Sequence, residues 1–226
     1  MDKRMEERAT EARYTIAQAA ELVNRPPNAV RRWSLGHRRK YHGEVKIDKP
    51  LIEADGSAAL PLSLLNLLEL QFLSDYRNEA ALQAIRRALE FVAKELKVPR
   101  PLISVKFHVR GGELFAKFAE TQEWDVLVNA SGGGGSIMLD KLTDRVRVIT
   151  GDIDYDREIL HRWWFKGRSV PLYVDTRVAG GLPITADTGV RLDAIVARHA
   201  GGYANYQIQE DTGATEAEVV AAILAA

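Results

Sequence analysis

Basic side chains cluster near the start of the chain, and their chemistry is that of phosphate and base recognition. Residues 13–50 hold nine Lys and Arg against three Asp and Glu, a net charge of +6, although the 226-residue chain as a whole is neutral. Arg binds phosphate and guanine through paired N–H groups, and Asn binds adenine in a similar two-bond manner. The candidates for contact with duplex DNA are Arg25, Asn28, Arg31, Arg32, Arg38, Arg39 and Lys40.

Two short helices are predicted to carry the first of these candidates. Thr15 followed by Gln18 matches a capping box, which predicts the start of one helix. Pro27 suits the first turn of a second helix, expected over residues 28–34. A helix-turn-helix of this kind places its second helix in the major groove, so we expect Asn28 or one of the arginines to read base edges.

A basic loop over residues 37–43 follows the predicted helices and precedes a short apolar alternation at Val45 and Ile47. This pattern is typical of the wing of a winged helix. Cations on such a wing contact phosphates, which positions the protein without reading sequence.

The middle of the chain is predicted to join a helical linker to a small region of strands. A leucine-rich helix is expected over residues 61–76, and apolar steps of three and four predict a heptad seam over residues 82–96. That seam either packs within the chain or forms a dimer contact, and a two-fold DNA site favours the dimer. Strand alternation predicts a β-hairpin over residues 103–118. The glycine run at 132–135 is either a native loop or an inserted linker.

The last segment, residues 170–226, is predicted to form a β-hairpin and three short helices. Residues 171–226 hold seven acidic against three basic side chains, a net charge of −4, which a DNA duplex repels. We therefore expect this segment to bind another protein. The acidic candidates for that contact are Glu210, Asp211, Glu216 and Glu218.

Enzyme, metal and cofactor functions have no support in the sequence. The chain has no cysteine, and its histidines lack the spacing of a metal-binding helix. Asp152, Asp154 and Asp156 do not match a calcium loop because Arg157 stands where that loop needs glycine, so we expect a solvated acidic turn. The charged start lacks the apolar core of a signal peptide, and no apolar run reaches the roughly 20 residues of a membrane helix. A cytoplasmic protein is expected.

Two stretches resemble known families. The sequence from Tyr14 to Ala20, continued by Arg31-Arg32-Trp33, is similar to the opening helix-turn-helix of MerR-like regulators. The sequence from Val174 to Ile184, followed by Thr188-Gly189-Val190, resembles the small VapB-type antitoxin domain, long described as a domain of unknown function. Departures from the two families' patterns occur at Pro26, Thr176, Asp187 and Thr188.

The resemblance implies an antitoxin of a type II toxin–antitoxin pair. Such a protein holds a PIN-domain ribonuclease inactive, represses the shared operon by binding operator DNA, and is expected to be a homodimer. The alternative is a stand-alone MerR-like regulator with a ligand-sensing C-terminal region. The aromatic residues that could line its pocket are Phe107, Phe115, Phe118 and Trp124.

The expected fold class is α+β, in four consecutive segments. A winged helix-turn-helix is predicted over residues 1–60 and a helical linker or dimerisation region over residues 61–98. An α+β middle domain over residues 99–169 and an antitoxin-type domain over residues 170–226 complete the prediction.

Overall fold

The chain contains two compact units, one formed by residues 1–13 with 152–226 and the other by residues 14–151. The computed structural model describes residues 3–41, 44–77, 97, 100, 151–156 and 159–226. Helices occur in both units, and the described strands form a two-stranded and a four-stranded antiparallel sheet. The expected α+β class is confirmed at this level.

The unit of residues 14–151 begins with two helices that follow their sequence signals. Helix α2 (Ile16–Leu22) starts at the predicted capping box: the Gln18 N–H donates to Thr15 Oγ1 over 3.2 Å, and the Thr15 N–H donates to Gln18 Oε1 over 3.0 Å. Helix α3 (Pro27–Leu35) starts with Pro27 in its first turn, one residue before the predicted start. Val30 and Trp33 are buried and form the inner face of this helix.

A β-hairpin follows α3 directly. Strand β1 (His37–Tyr41) pairs antiparallel with β2 (Glu44–Asp48), with residue 38 opposite residue 47 and residue 40 opposite residue 45. The chain can turn from helix to strand at Gly36, whose φ of 75° suits glycine. The hairpin therefore stands where the sequence predicted a wing.

Helix α4 (Leu64–Tyr76) is the predicted leucine-rich helix, starting three residues later than expected because Ser63 caps it. Leucines on several sides of α4, among them Leu64, Leu67 and Leu70, are buried. A helix that is apolar all round packs inside a core rather than along its surface. The predicted heptad seam, the hairpin at 103–118 and the glycine run lie outside the described residues.

The other unit is built on the four-stranded antiparallel sheet. Its strands β3 (Ile153–Asp156), β4 (Ile159–Trp163), β5 (Leu172–Asp175) and β6 (Ile184–Thr185) are neighbours in that order. The predicted acidic turn is wrong, because Asp154 and Asp156 lie in β3. Helix α1 (Lys3–Thr10) packs against β4 of the same unit.

These pairings also change the predicted boundaries. Strands β4 and β5 pair at Trp163 and Val174, so a boundary at residue 170 cuts through one sheet. Helix α1 belongs with this sheet and not with the helix pair that follows it in sequence. Pairing between distant strands leaves no local pattern in a single sequence, which is why the four-segment prediction missed it.

Three helices complete the unit as predicted. They are α5 (Leu192–Ala200), α6 (Asn205–Thr212) and α7 (Glu216–Ala225). Ile195, Ile208 and Val219 are fully buried among them and form a small apolar core. Thr215 and Glu218 form a capping box at the start of α7.

Candidate nucleic-acid interface

Helix α3 has one polar face that projects into solvent. Asn28, Arg31 and Arg32 are all exposed, and their i, i+3, i+4 spacing places them on one side of the helix. Val30 and Trp33 hold the opposite side against the body of the unit. The Trp33 carbonyl accepts the N–H of Leu51 over 2.7 Å, which fixes the end of α3 to the chain beyond the hairpin. The face is thus carried by an anchored helix.

The hairpin adds a second group of cations. Arg38 and Lys40 are exposed, and they share one face of β1 because side chains two residues apart in a strand point the same way. Val45 lies opposite Lys40 on that face and is 57% exposed. The side chain of Arg39 lies outside the part of the hairpin that the structure describes.

Among the residues that the structure describes, no carboxylate forms an ion pair with Arg31, Arg32, Arg38 or Lys40. Positive charge exposed on a helix and on the adjoining hairpin attracts polyanions such as nucleic acids and repels other positively charged molecules. We refer to Asn28, Arg31, Arg32, Arg38 and Lys40 as the basic face.

Arg25 does not belong to the basic face, which corrects its prediction as a phosphate ligand. Its guanidinium group donates from Nε to Ser74 Oγ over 2.6 Å and also donates to the Ser74 carbonyl oxygen. The Ser74 hydroxyl in turn donates to the Val23 carbonyl oxygen over 3.3 Å. Arg25 therefore ties the turn between α2 and α3 to α4 and orients α3 indirectly.

A buried polar network beside α4 supports the same unit, and the sequence offered little sign of it. Arg100 donates to both carboxylate oxygens of Asp55, over 2.9 and 2.6 Å. Asn66, which completes the Ser63 cap, donates to Glu69 over 3.0 Å. Burial raises the pKa of Glu69 to about 7, against the opposing attraction of Arg100. Ser63 before a leucine run is a readable cap signal, whereas Arg100 lies 45 residues from Asp55 in the chain.

The acidic candidates of the other unit separate into two groups. Glu210, Asp211 and Glu216 are exposed, and Asp211 pairs with Arg198 over 3.4 Å. Glu218 is fully buried. The prediction that Glu218 contacts a partner protein is therefore wrong, because its side chain is buried and forms hydrogen bonds within the chain.

Glu218 fastens α7 to the turn after β6. Its carboxylate accepts the N–H groups of Asp187 and Thr188 over 2.8 and 3.0 Å and the Thr188 hydroxyl over 2.7 Å. The N–H of Thr215 donates to it over 2.9 Å. Burial opposes ionisation, but these donors outweigh burial and lower the pKa of Glu218 to about 2. Glu218 is therefore ionised at neutral pH, and both of its carboxylate oxygens accept hydrogen bonds from within the protein.

Asp175 is a second buried acid that the charge count treated as surface. It is 1% exposed and receives hydrogen bonds from Arg177, at 2.8 and 3.0 Å, and from Arg162 at 3.1 Å. Burial raises the pKa of Asp175, but the hydrogen bonds from Arg177 outweigh burial and lower it below the usual range. The surface of this unit is consequently less acidic than its sequence suggests.

Comparison with known proteins identifies the fold alone. No protein-family profile matches the sequence, and no curated protein matches it. The structure is similar to the crystal structure of Rv2018 from Mycobacterium tuberculosis, with a TM-score of 0.69 and 20% sequence identity. The similarity covers 93% of this chain and 96% of that one. Of the helices in the described residues, none has the length and apolar character needed to span a bilayer.

Proposed function

We propose that the chain is an antitoxin that represses its own operon and neutralises a PIN-domain ribonuclease. The unit of residues 14–151 would bind operator DNA, and the unit that contains residues 152–226 would bind the toxin. The observation that carries this proposal is the basic face, whose cations have no carboxylate partner among the described residues.

The geometry of the basic face suits a duplex. An α-helix fits the major groove, and residues near its start contact base edges when the helix docks as in helix-turn-helix proteins. Asn28 is the second residue of α3, and Arg31 and Arg32 follow on the same side. Arg38 and Lys40 on the hairpin are then available to contact the sugar–phosphate backbone, which sets register and orientation.

The toxin-binding half of the proposal rests on the VapB-type resemblance and on the exposed surface of α6. Tyr206 in α6 is 62% exposed, and Tyr203, two residues before the helix, is 47% exposed. Glu210 follows Tyr206 by one helical turn and has no ion-pair partner among the described residues. Exposed tyrosine beside an uncompensated carboxylate suits a basic protein surface, because aromatic rings and carboxylates both bind Arg.

Fluorescence anisotropy of the full chain with duplex DNA from upstream of its own reading frame tests the first half. Without Arg25, log affinity is expected to fall with log salt at a slope of about −2.7 when Arg38, Arg39 and Lys40 alone contact phosphate, and of about −4.5 when Arg31 and Arg32 also do. Arg38→Ala, on the hairpin, should make that slope shallower by about 0.9. Arg8→Ala, at an exposed arginine of α1, is the matched control and should leave it unchanged. A wild-type slope near zero refutes DNA binding.

Co-expression with the neighbouring reading frame tests the second half. The chain should relieve toxicity of a PIN-type neighbour, and Glu210→Lys should weaken that relief by introducing a cation at the proposed contact. Asp193→Lys is the matched control, because Asp193 is exposed on α5 and pairs with Arg191 within its own helix start. Equal rescue by wild type and Glu210→Lys removes α6 from the contact. If the protein encoded by the neighbouring reading frame is not toxic when expressed alone, the antitoxin assignment is wrong.

A further inference from the structure

The outer side of α7 is apolar although its inner side already packs in the core. Val219 and Ala222 are fully buried against α5 and α6, yet Leu224 is 82% exposed and Val220 is 39% exposed. A helix with two apolar sides is normally covered on both. The second side of α7 is therefore a surface that another element can cover.

An open groove of about 730 Å³ runs between this side of α7 and residues 166–171. Ala217 and Ala221 lie one turn apart on the α7 wall, and Val170 and Pro171 line the opposite wall. Small side chains on a helix allow close approach of a ridge from another helix. Leu224 lies at the edge of the same groove, and a leucine side chain has a size that fits an apolar groove of this kind.

The groove also carries one charge of each sign. Lys166 and Glu216 both line it, and neither forms an ion pair with any residue in the described part of the chain. In a two-fold dimer every contact occurs twice: if residue i of one copy contacts residue j of the other, residue j of the first copy also contacts residue i of the second. Two copies that meet at this groove can therefore form two Lys166–Glu216 pairs, one on each side of the axis.

We propose that a second copy of the chain docks in this groove, with α7 packed against α7 of the partner about a two-fold axis. Leu224 of each copy enters the apolar groove of the other, and Lys166 of each copy pairs with Glu216 of the other. A second copy presents the same surface, so it supplies an apolar side chain for the groove together with a cation for Glu216 and an anion for Lys166. This contact does not require the proposed DNA or toxin binding, and it assigns Glu216, an acidic candidate for the toxin contact, to the dimer instead.

Sedimentation equilibrium of the full chain tests the proposal. Wild type is expected to dimerise, and Leu224→Asp is expected to weaken dimerisation by at least about tenfold, because it places an unpaired charge in an apolar contact. Because Leu224 is exposed, far-ultraviolet circular dichroism should show that the variant is folded. A monomeric wild type, or a Leu224→Asp dimer as strong as wild type, overturns the proposal.

Charge reversal distinguishes self-association from any other occupant. Lys166→Glu and Glu216→Lys should each weaken the dimer, and the double variant should recover it, because only a second copy carries both exchanged charges. Failure of the double variant to recover overturns the two-fold pairing. Arg31→Ala should leave dimerisation intact, so loss of DNA binding and loss of this contact are separable.

Cross-linking locates the contact directly, since the chain contains no cysteine. A bismaleimide should join two copies of Leu224→Cys efficiently. Glu210→Cys, exposed on α6, is the control and should cross-link much less. Equal cross-linking of the two variants contradicts an interface centred on α7.

Discussion

Glu218→Gln tests whether a buried carboxylate holds the last helix of the chain in place. In the native protein one carboxylate oxygen accepts the N–H groups of Asp187 and Thr188, and the other accepts the N–H of Thr215 and two threonine hydroxyls. Glutamine keeps one oxygen and replaces the other with an NH₂ group. The hydroxyls of Thr188 and Thr215 can rotate to accept hydrogen bonds from this NH₂ group. The backbone N–H of Thr215 cannot, because it is itself a donor and would lose its acceptor.

Two routes give the magnitude of the loss. The donors lower the pKa of Glu218 from 4.5 to about 2 against the opposing effect of burial, and at about 1.36 kcal/mol per unit this corresponds to about 3 kcal/mol. A stranded buried donor costs about 1–3 kcal/mol. We therefore expect Glu218→Gln to lower the free energy of unfolding by about 2–3 kcal/mol at neutral pH.

The loss should also depend on pH. Because the pKa of Glu218 is lower in the folded than in the unfolded protein, its stabilising contribution is complete above pH 4.5 and is lost as pH falls towards 2. The unfolding free energies of wild type and Glu218→Gln should therefore converge in acid. In the variant, the amide of Thr215, which then faces the NH₂ group, should also exchange with solvent faster.

Urea unfolding at neutral pH and in acid, followed by circular dichroism, measures both effects. Glu210→Gln is the matched control, since Glu210 is exposed on α6 of the same unit and lies outside the proposed dimer contact. The control should cost less than about 1 kcal/mol, as is usual for a substitution at an exposed surface position. Equal losses in the two variants, or a Glu218→Gln loss that does not change with pH, would refute the reasoning.

Two further predictions concern the unit of residues 14–151. Burial raises the pKa of Glu69 to about 7, so the folded unit loses stability as pH rises from 4.5 through 7. Glu69→Gln should therefore be more stable than wild type at pH 8 and similar to it at pH 4.5 in thermal unfolding, and a constant difference contradicts the assignment. Arg25→Ala removes two hydrogen bonds to Ser74 and should cost about 1–3 kcal/mol of stability. Its salt slope for DNA should match wild type, and a shallower slope would restore Arg25 as a phosphate ligand.

The basic face could be predicted from sequence because its determinants are local. The i, i+3, i+4 spacing of Asn28, Arg31 and Arg32, opposite Val30 and Trp33, assigns the two sides of α3 as soon as the helix is recognised. The hairpin and the capping boxes likewise depend on residues within a few positions of one another.

Only the tertiary structure could separate surface charges from buried ones. Arg25 and Glu218 look like their exposed neighbours in sequence, yet Arg25 bonds Ser74 49 residues away and Glu218 bonds Asp187 31 residues away. The placement of α1 on β4 and the pairing of β4 with β5 also join distant segments. Local patterns decide which face of an element is polar, because the helix and strand periods are fixed by backbone geometry. Which polar groups are buried depends on what packs against that face, and long-range folding alone decides this.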